Sequence, residues 1–470
     1  MRSSRFFIII LLAVLFGTLP TAHASTADIQ TFVEREAKAA SVPGVAYALI
    51  DGDQVHTGHF GQAKDDGGRS VSEQTAFAIG SISKSFTAFA IMQLREKGLL
   101  ELDMPVSTYL PELEKAAVGA MTVRQLLSHT SGLSIVQGNS NQTDVTTDRD
   151  ALKRRVAYLA TLTPARAPGE VWDYSNANYQ LLSRVVEVLS ASEFGDYVES
   201  QILKPLGMND SRMIDWEHGP DDAAPHRPWF WTKMQFDGRG TGRGSLGQGG
   251  VMASARDMAT YLNMMMNGEN DILTADSKAE MMQPASSISP SYGLGWFVAP
   301  ERGLVFHSGA NPGFEAFASM RPDQKKAFII LANGGSGFGF GETGYLRRGA
   351  AVLALGGPDE RRPGWMMKAA FLLIVALPLF CLLGAWRSWK RRASIKAKGR
   401  GIAHSRIWMP LLAAVGFAYV LLIFLPGSFG VNIQTATFFQ PDLGLLLTLS
   451  AIGIAIWAAI HSLVALYSRA

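Results

Sequence analysis

A serine and a lysine lie three residues apart in a segment whose other residues are apolar or small. The segment FAIGSISKSF covers residues 77–86 and contains Ser81 and Lys84. Along a helix, this spacing brings both side chains to one face, one turn apart. A serine hydroxyl attacks carbonyl groups only if a neighbouring group removes its proton. A lysine buried beside it loses solvation, which lowers its pKa toward that of a useful base. The pair therefore favours acyl transfer through a serine ester.

The backbone at Ser81 adds a further catalytic group if the helix begins at this residue. Its N–H would then point outward with the helix dipole and can stabilise an oxyanion. A Ser-x-x-Lys match also arises by chance in a chain of 470 residues. Taken alone, the pair is better explained as a helix serine and a lysine that reaches solvent, so other motifs must decide.

Tyr174 and Asn176 carry side chains that fit the same reaction. They lie in the segment PGEVWDYSNANYQLL, just before a predicted helix. A phenol near a cationic lysine is expected to have a lowered pKa and to shuttle protons. An amide side chain can bind the peptide-like group of a substrate.

His307 and Gly309 lie at the end of a predicted strand in the segment VFHSGANPGFEAF. The edge of such a strand can align with an extended substrate through main-chain hydrogen bonds. The backbone N–H of Ala310 is then the candidate for a second oxyanion donor.

Together these segments resemble the serine β-lactamase and penicillin-binding-protein superfamily, in particular its class C β-lactamase and D,D-carboxypeptidase-like branch. The resemblance covers about residues 28–350. It is carried by six segments that follow one another in the family's order: GSISKSF, LLSHTSGL, YSNANY, PLGM, YGLGW and HSGANPGF.

The resemblance implies roles for the candidate residues. Ser81 is the acylated nucleophile, Lys84 is its proton-transfer partner, and Tyr174 is the base that activates Ser81 and later the deacylating water. Asn176 binds the substrate amide and His307 lines the oxyanion side. No metal or organic cofactor is implied. The residues expected to bind substrate are Asn176, His307, Gly309 and Ala310.

Position 307 departs from the family's pattern, because many members carry lysine there. A lysine is a permanent cation suited to a substrate carboxylate, whereas histidine is mostly neutral at pH 7. Similar proteins with histidine at this position include D,D-peptidases, D-aminopeptidases and esterases. His307 therefore disfavours strong β-lactamase activity, and the substrate remains open among peptides, lactams, amides and esters.

Other candidate site residues receive structural interpretations. Tyr261 and Asn263 also fit a Tyr-x-Asn pattern, but they lie in the middle of a predicted helix. His129, in LLSHTSGL, is expected to stabilise a loop. His56 and His59 lie three apart on a predicted strand and point to opposite faces, which makes them poor joint ligands for a metal.

The pattern of elements predicts an α+β fold, with an antiparallel sheet flanked by helices and a helical subdomain. A hairpin is expected around the turn at 51–53, and four further strands near the end of this part of the chain. A helix over 81–97 is apolar on nearly every side and should run through the core. Other helices are expected at 28–40, 177–190 and 254–267, with another opening at a Thr122–Gln125 capping box.

Both ends of the chain carry apolar segments. Residues 1–24 have the charge, apolar core and small-residue cleavage site of a secretory signal peptide, with an uncleaved anchor helix as the alternative. Three stretches are each long enough to cross a bilayer as a helix. They are about 369–386, 407–425 and 443–467. We therefore predict a hydrolase domain at 25–354, a linker at 355–368 and a membrane module at 369–470.

Charge predicts the orientation of this module. The segment between the first two stretches carries eight Lys or Arg and no acid, whereas the segment between the second and third has neither Lys nor Arg. Basic loops stay in the cytoplasm, so the hydrolase domain is expected outside and the C-terminus inside. The exported N-terminus requires the same topology, which places the protein in the cytoplasmic (inner) membrane.

The charge balance also bears on partners. The whole chain is +3, but residues 25–360 hold 29 basic and 39 acidic residues and are near −10. Nucleic acid is therefore not an expected partner. The expected partners are a small peptide, lactam or ester and the lipid bilayer. The one cysteine, Cys381, lies in the first apolar stretch and is expected to serve packing.

A second class of function stays open beside the hydrolase. Three crossings exceed what a simple tether needs, which fits a membrane-tethered sensor or scaffold that is acylated but turns over little. The two differ in one observable property, because a sensor traps its acyl-enzyme and a hydrolase releases it.

Overall fold

The first two strands of the chain and the last four pair in one six-stranded antiparallel sheet. Its strand order is β2-β1-β11-β10-β9-β8. β3, β7 and β4 form a small sheet, and β5 and β6 form a separate hairpin. The strands are β1 (Gly44–Asp51), β2 (Gln54–Gly61), β3 (Phe77–Ala78), β4 (Arg212–Met213), β5 (His226–Trp229), β6 (Thr232–Gln235), β7 (Val251–Ala253), β8 (Phe297–Ala299), β9 (Leu304–Asn311), β10 (Phe314–Arg321) and β11 (Lys326–Ala332).

The helices surround this sheet and continue beyond it. In chain order they are α1 (Thr26–Ala39), α2 (Ser83–Glu96), α3 (Val123–Leu127), α4 (Ile135–Asn139), α5 (Ala151–Ala160), α6 (Asn176–Ser190), α7 (Phe194–Val198), α8 (Leu246–Gly249), α9 (Ala255–Met266), α10 (Ala275–Met281), α11 (Gly344–Leu355), α12 (Trp365–Lys390), α13 (Ser405–Tyr419), α14 (Leu425–Ser428), α15 (Ile433–Phe439) and α16 (Pro441–Tyr467).

The structure is a computed structural model that describes most of the chain. The described residues are 25–65, 69–140, 142–214, 219, 221–238, 240–357, 364–392 and 405–467. The predicted signal peptide at 1–24 and most of the basic segment after the first apolar stretch lie outside them.

The sheet is covered on both faces, which explains why β1 is apolar at nearly every position. On one face, α1 and α11 pack against side chains such as Tyr47 and Phe328. The opposite face packs against the main core, which includes α2, α6 and α9. A strand that is buried on both sides cannot show a simple alternation of apolar and polar residues.

Several elements lie where local features of the sequence predict them. β1 and β2 pair as a hairpin with Asp51 opposite Gln54. Thr122 and Gln125 form the expected capping box of α3. α2 is buried from Ser83 to Leu94, so the helix does run through the core. The predicted α+β fold, with an antiparallel sheet and flanking helices, is confirmed.

Within the described residues, three C-terminal segments are long and apolar enough to cross a membrane. They are Trp365–Lys390, Trp408–Ser428 and Pro441–Leu466, and each overlaps one predicted stretch. α16 packs against both α12 and α13. Cys381 is buried on α12, where its Sγ lies 3.9 Å from the carbonyl oxygen of Ser450. These helices indicate membrane association, while their orientation and the domain boundaries stay predictions.

Candidate active site

Ser81 lies in a tight turn directly before α2. A single 3-10 turn, Gly80–Ile82, continues into the helix. Gly80 has a φ of +53°, and a Cβ atom there would lie 2.3 Å from the backbone nitrogen of Ala310. A glycine is therefore required for the turn to approach β9 so closely.

The Lys84 amine lies beside the Ser81 hydroxyl. Its Nζ donates to Ser81 Oγ at 3.0 Å and to the carbonyl oxygen of Gln248 at 3.1 Å. The side chain is completely buried. Burial without a charged partner among its hydrogen bonds holds the pKa of Lys84 well below its usual range. This shift favours the free amine, which is the form that can accept the proton of Ser81.

Tyr174 completes this group from the segment before α6. Its hydroxyl interacts with the Ser81 side chain, and Lys84 Nζ lies 4.9 Å from its ring centroid. Burial raises the pKa of Tyr174 above its ordinary value. The expected lowering of this pKa is wrong, because it assumed a cationic lysine and Lys84 is itself desolvated. The phenol therefore keeps its proton in the resting site.

His129 lies under Tyr174, and their ring centroids are 4.3 Å apart. It has a φ of +59°. Its Nδ1 accepts hydrogen bonds from the backbone N–H of Ser175 and from Asn178 Nδ2, both at 3.1 Å. Burial lowers its pKa well below 6.5, so the ring is neutral. His129 therefore holds the start of α6 against the loop, which fits its structural interpretation.

Asn176 opens α6 and lies against the cleft that contains Ser81. Its Nδ2 donates to Asn139 Oδ1 at 2.7 Å. Its Oδ1 is buried and has no hydrogen-bond partner in the described part of the chain. A buried acceptor without a partner is costly, so a substrate N–H that reached it would be bound favourably.

β9 approaches Ser81 through Gly309. A Cβ atom at Gly309 would lie 1.8 Å from the carbonyl oxygen of Ile79 and 3.2 Å from the backbone nitrogen of Ser81. The next residue, Ala310, lines the same cleft as Ser81. The backbone of β9 at Gly309 and Ala310 therefore lies close to the backbone of Ser81 beside the cleft.

Part of the edge of β9 beside the cleft has no strand partner among the described residues. There β8 pairs with β9 only from Leu304 to Phe306. The following residues of β9 can therefore pair with an extended substrate.

His307 is buried on β9 and forms two hydrogen bonds. Its Nε2 accepts from the Tyr292 hydroxyl at 3.1 Å, and its Nδ1 donates to the Ser308 carbonyl oxygen at 2.7 Å. Burial first, and then the neighbouring Lys84, lower the pKa of His307 to about 3. The ring packs against Phe297 at a centroid distance of 5.2 Å. His307 is therefore a neutral support of this side of the site.

Much of the cleft comes from residues that the sequence did not single out. Its lining is mostly polar and comes from the turn at Ser81, the loop after α4, the start of α6, the segment that leads into α8, α8 itself and β9. The lining residues are Ser81, Gln142, Asn176, Gly240, Thr241, Ser245, Gln248, Gly249, Ala310 and Asn311. Of the residues not singled out, only Asn311 lay in a quoted motif, HSGANPGF. The others lie in loops, in a single 3-10 turn or in the four-residue α8, all too short to show a periodic pattern.

The alternative Tyr-x-Asn pair lies away from this cleft. Tyr261 is completely buried in the core and stacks on Phe86 at a centroid distance of 4.1 Å. Among the described residues, no group of three or more His, Cys, Asp or Glu side chains is placed to hold a metal ion.

Comparison with known proteins agrees with this geometry. A family model described as Beta-lactamase matches residues 29–352. The putative penicillin-binding protein PbpX of Bacillus subtilis is 28% identical over 318 residues, covering 66% of this chain and 75% of the relative.

Two solved structures share the fold. The octameric penicillin-binding protein homologue from Pyrococcus abyssi has a TM-score of 0.63 and 25% identity, covering 74% of this chain and 81% of the homologue. The D-alanine carboxypeptidase AmpC from Burkholderia cenocepacia has a TM-score of 0.57 and 21% identity, covering 71% of this chain and 99% of the carboxypeptidase.

Proposed function

Because the chain belongs to the Beta-lactamase family, we propose that it is a membrane-anchored, extracytoplasmic serine hydrolase that works through an acyl-enzyme at Ser81. One observation carries the proposal. The completely buried Lys84 donates to Ser81 Oγ at 3.0 Å and has a pKa far below that of an ordinary lysine. A neutral amine in that place serves to accept the proton of the attacking hydroxyl.

Acylation follows from these placements. Lys84 takes the proton of Ser81 as Oγ attacks the substrate carbonyl, and the N–H groups of Ser81 and Ala310 bind the oxyanion. The proton then passes from Lys84, through the hydroxyl of Tyr174, to the leaving group. In the second step water attacks the ester, gives up a proton along the same route, and releases Ser81. The relative pKa values favour Lys84 over Tyr174 as the first base.

The substrate class follows from the cleft. Asn176 lines the cleft and its amide can bind an amide group on the acyl side of the scissile bond, and the edge of β9 can pair with an extended chain. His307 is neutral and supplies no fixed cation for a substrate carboxylate. These features support peptides, in the manner of a D,D-carboxypeptidase, and related amides or esters over rapid β-lactam hydrolysis.

The C-terminal helices support anchoring. Three described segments have the length and composition of membrane spans. With the basic loop in the cytoplasm, the hydrolase domain lies outside the cytoplasmic membrane and the C-terminus inside. Exposed apolar side chains on these helices, such as Leu373, Leu412 and Val415, then face lipid.

A membrane-tethered sensor is the second candidate function. A specific contact favours it, because the backbone of the C-terminal module reaches the site region where Asn139 Nδ2 donates to the Gly430 carbonyl oxygen at 2.9 Å. A sensor would pass the acylated state to its membrane helices through such a contact.

One time course separates the two functions. The full chain in detergent is incubated with a fluorescent penicillin and, separately, with a p-nitrophenyl ester, and its intact mass is followed. A hydrolase shows an adduct that decays with product release, and a sensor shows an adduct that persists. The absence of any adduct or turnover with either probe, under conditions where the chain is folded, would contradict the proposal.

A further inference from the structure

The hairpin of β5 and β6 ends in large apolar side chains on the surface of the hydrolase domain. Its two-residue turn, Phe230 and Trp231, follows Trp229. Trp231 is 62% exposed, and Met234 on β6 is 52% exposed. We call residues 229–234 the aromatic tip. Apolar groups exposed together on a domain surface commonly mark a contact with a membrane or with another protein.

One face of the hairpin is seated on the hydrolase domain. Pro228 and Lys233 pair across the two strands, and Lys233 Nζ donates to the carbonyl oxygen of Gly335 at 2.7 Å. Because side chains alternate across a strand, the neighbouring Trp229 and Met234 lie on the opposite face. This second face of the aromatic tip therefore points away from the domain.

The aromatic tip is bonded to the first turn of a candidate membrane span. The backbone N–H of Phe230 donates to Asp442 Oδ2 at 2.7 Å, and Asp442 lies at the start of the span Pro441–Leu466, which has 26 residues. A helix of this length measures about 39 Å, whereas the hydrocarbon core of a bilayer is about 30 Å thick. The first turn of the span is therefore expected at the depth of the lipid headgroups, and the aromatic tip with it.

The other two candidate spans also meet the hydrolase domain. A Cβ atom at Gly339 would lie 2.6 Å from the Cβ atom of Phe371, near the start of α12. Just after the second span, which ends at Ser428, the carbonyl oxygen of Gly430 accepts from Asn139 Nδ2 at 2.9 Å. One end of each candidate span thus lies against the domain. Because successive spans run in opposite directions, these three ends share one surface of the bilayer.

We propose that the aromatic tip lies in the headgroup interface of the phospholipid bilayer and holds the hydrolase domain against the membrane surface. Tryptophan favours this depth, because its ring is apolar while its indole N–H can still form a hydrogen bond. Trp229 and Trp231 supply two such rings, and the flexible side chain of Met234 adapts to an irregular surface. The inference rests on the membrane anchoring in the proposed function and is independent of the chemistry at Ser81.

This contact also bears on the position of the cleft. Asn139, which donates to Gly430, accepts from Gln142 Nε2 at 3.1 Å, and Gln142 lines the cleft. Two consecutive hydrogen bonds therefore join the cleft wall to the chain just beyond a candidate span. A hydrolase domain held at the interface by the aromatic tip keeps its cleft close to the bilayer surface.

The test measures the depth of the aromatic tip in the full chain, reconstituted in vesicles of phosphatidylethanolamine and phosphatidylglycerol. Cys381→Ala removes the one native thiol, and Trp231→Cys or Met234→Cys then introduces a site for a nitrobenzoxadiazole label. Doxyl groups on the lipids quench this label, either near the headgroup or deep in the acyl chain. Both labels should lose more intensity with the shallow quencher. Met234→Cys keeps both tryptophans, so the test does not depend on the loss of Trp231.

Two matched positions serve as controls. Leu373 is 69% exposed on α12 within a candidate span, so a label at Leu373→Cys should be quenched most by the deep doxyl group. Val55 is 48% exposed. Its partner Ile50 lies about 20 Å along β1 from Gly44, which is the end of the strand beside the loop that contacts α12. A label at Val55→Cys should not be quenched by either lipid.

The outcomes separate the inference from the proposed function. Quenching at Leu373→Cys without quenching at either tip position would overturn the inference and leave the anchoring intact. Tip labels that are shielded from iodide in water but unaffected by doxyl lipids would assign the tip to a protein, such as a second copy of the chain, and would overturn it as well. If no position is quenched, Leu373→Cys included, the proposed anchoring fails and the inference fails with it.

Discussion

Replacing Gly309 by alanine should disable the site while leaving the fold intact. The added Cβ would lie 1.8 Å from the carbonyl oxygen of Ile79, whereas an ordinary C···O contact is about 3.4 Å. The strand must therefore retreat by roughly 1.6 Å, which separates the N–H of Ala310 from that of Ser81. Removing one oxyanion donor costs about 10²–10³ in rate, and a misplacement of about 1 Å costs a similar factor.

The assay measures the rate of covalent labelling by an activated ester, followed by intact mass. Gly309→Ala should be labelled about 10²- to 10³-fold more slowly. Gly195→Ala is the control, because its Cβ would meet its nearest neighbour, Met213, at 3.6 Å. A folded Gly309→Ala protein that is labelled as fast as the unaltered one would refute the oxyanion assignment.

Other changes test the remaining parts of the site. Lys84→Met should slow acylation by about 10²–10⁴ yet raise the thermal midpoint, because it removes a desolvated amine. Slower acylation without added stability would contradict the burial argument. Tyr174→Phe should slow acylation, and Tyr261→Phe should not. Equal acylation rates in the two variants would argue against proton transfer through the Tyr174 hydroxyl. Folding lowers the pKa of His307 to about 3, whereas in the unfolded chain the ring is protonated below pH ~6.5. Stability should therefore fall as pH drops through this window, and less steeply in His307→Gln, as measured by thermal midpoints. If the thermal midpoint falls equally steeply with pH in both proteins, the lowered pKa of His307 is contradicted.

Much of the fold follows from local sequence. Turn residues, a capping box and apolar periodicity are short-range signals, and the hairpin, α3 and α2 formed where these signals lay. The Ser81–Lys84 contact follows as well, because helical spacing fixes which side chains share a face. The order of the motifs then indicated the family.

The rest of the site depends on distant contacts. The cleft is lined by Thr241, which lies in a loop, and by Gln248, which lies in the four-residue α8, and neither element is long enough to show a periodic pattern. The pKa of Tyr174 is raised by the burial of its own hydroxyl, which motif spacing does not reveal. Asn139 and Gly430 are 291 positions apart in sequence, and only the folded chain brings them together.

The most direct test of the account is to map the acylated residue. The full chain is treated with the activated ester, quenched in acid and digested, and the modified peptide is sequenced by tandem mass spectrometry. We expect one ester, on Ser81, that forms in the unaltered protein and is absent from Ser81→Ala. A modification on any other residue, or labelling of Ser81→Ala at the unaltered rate, would contradict it.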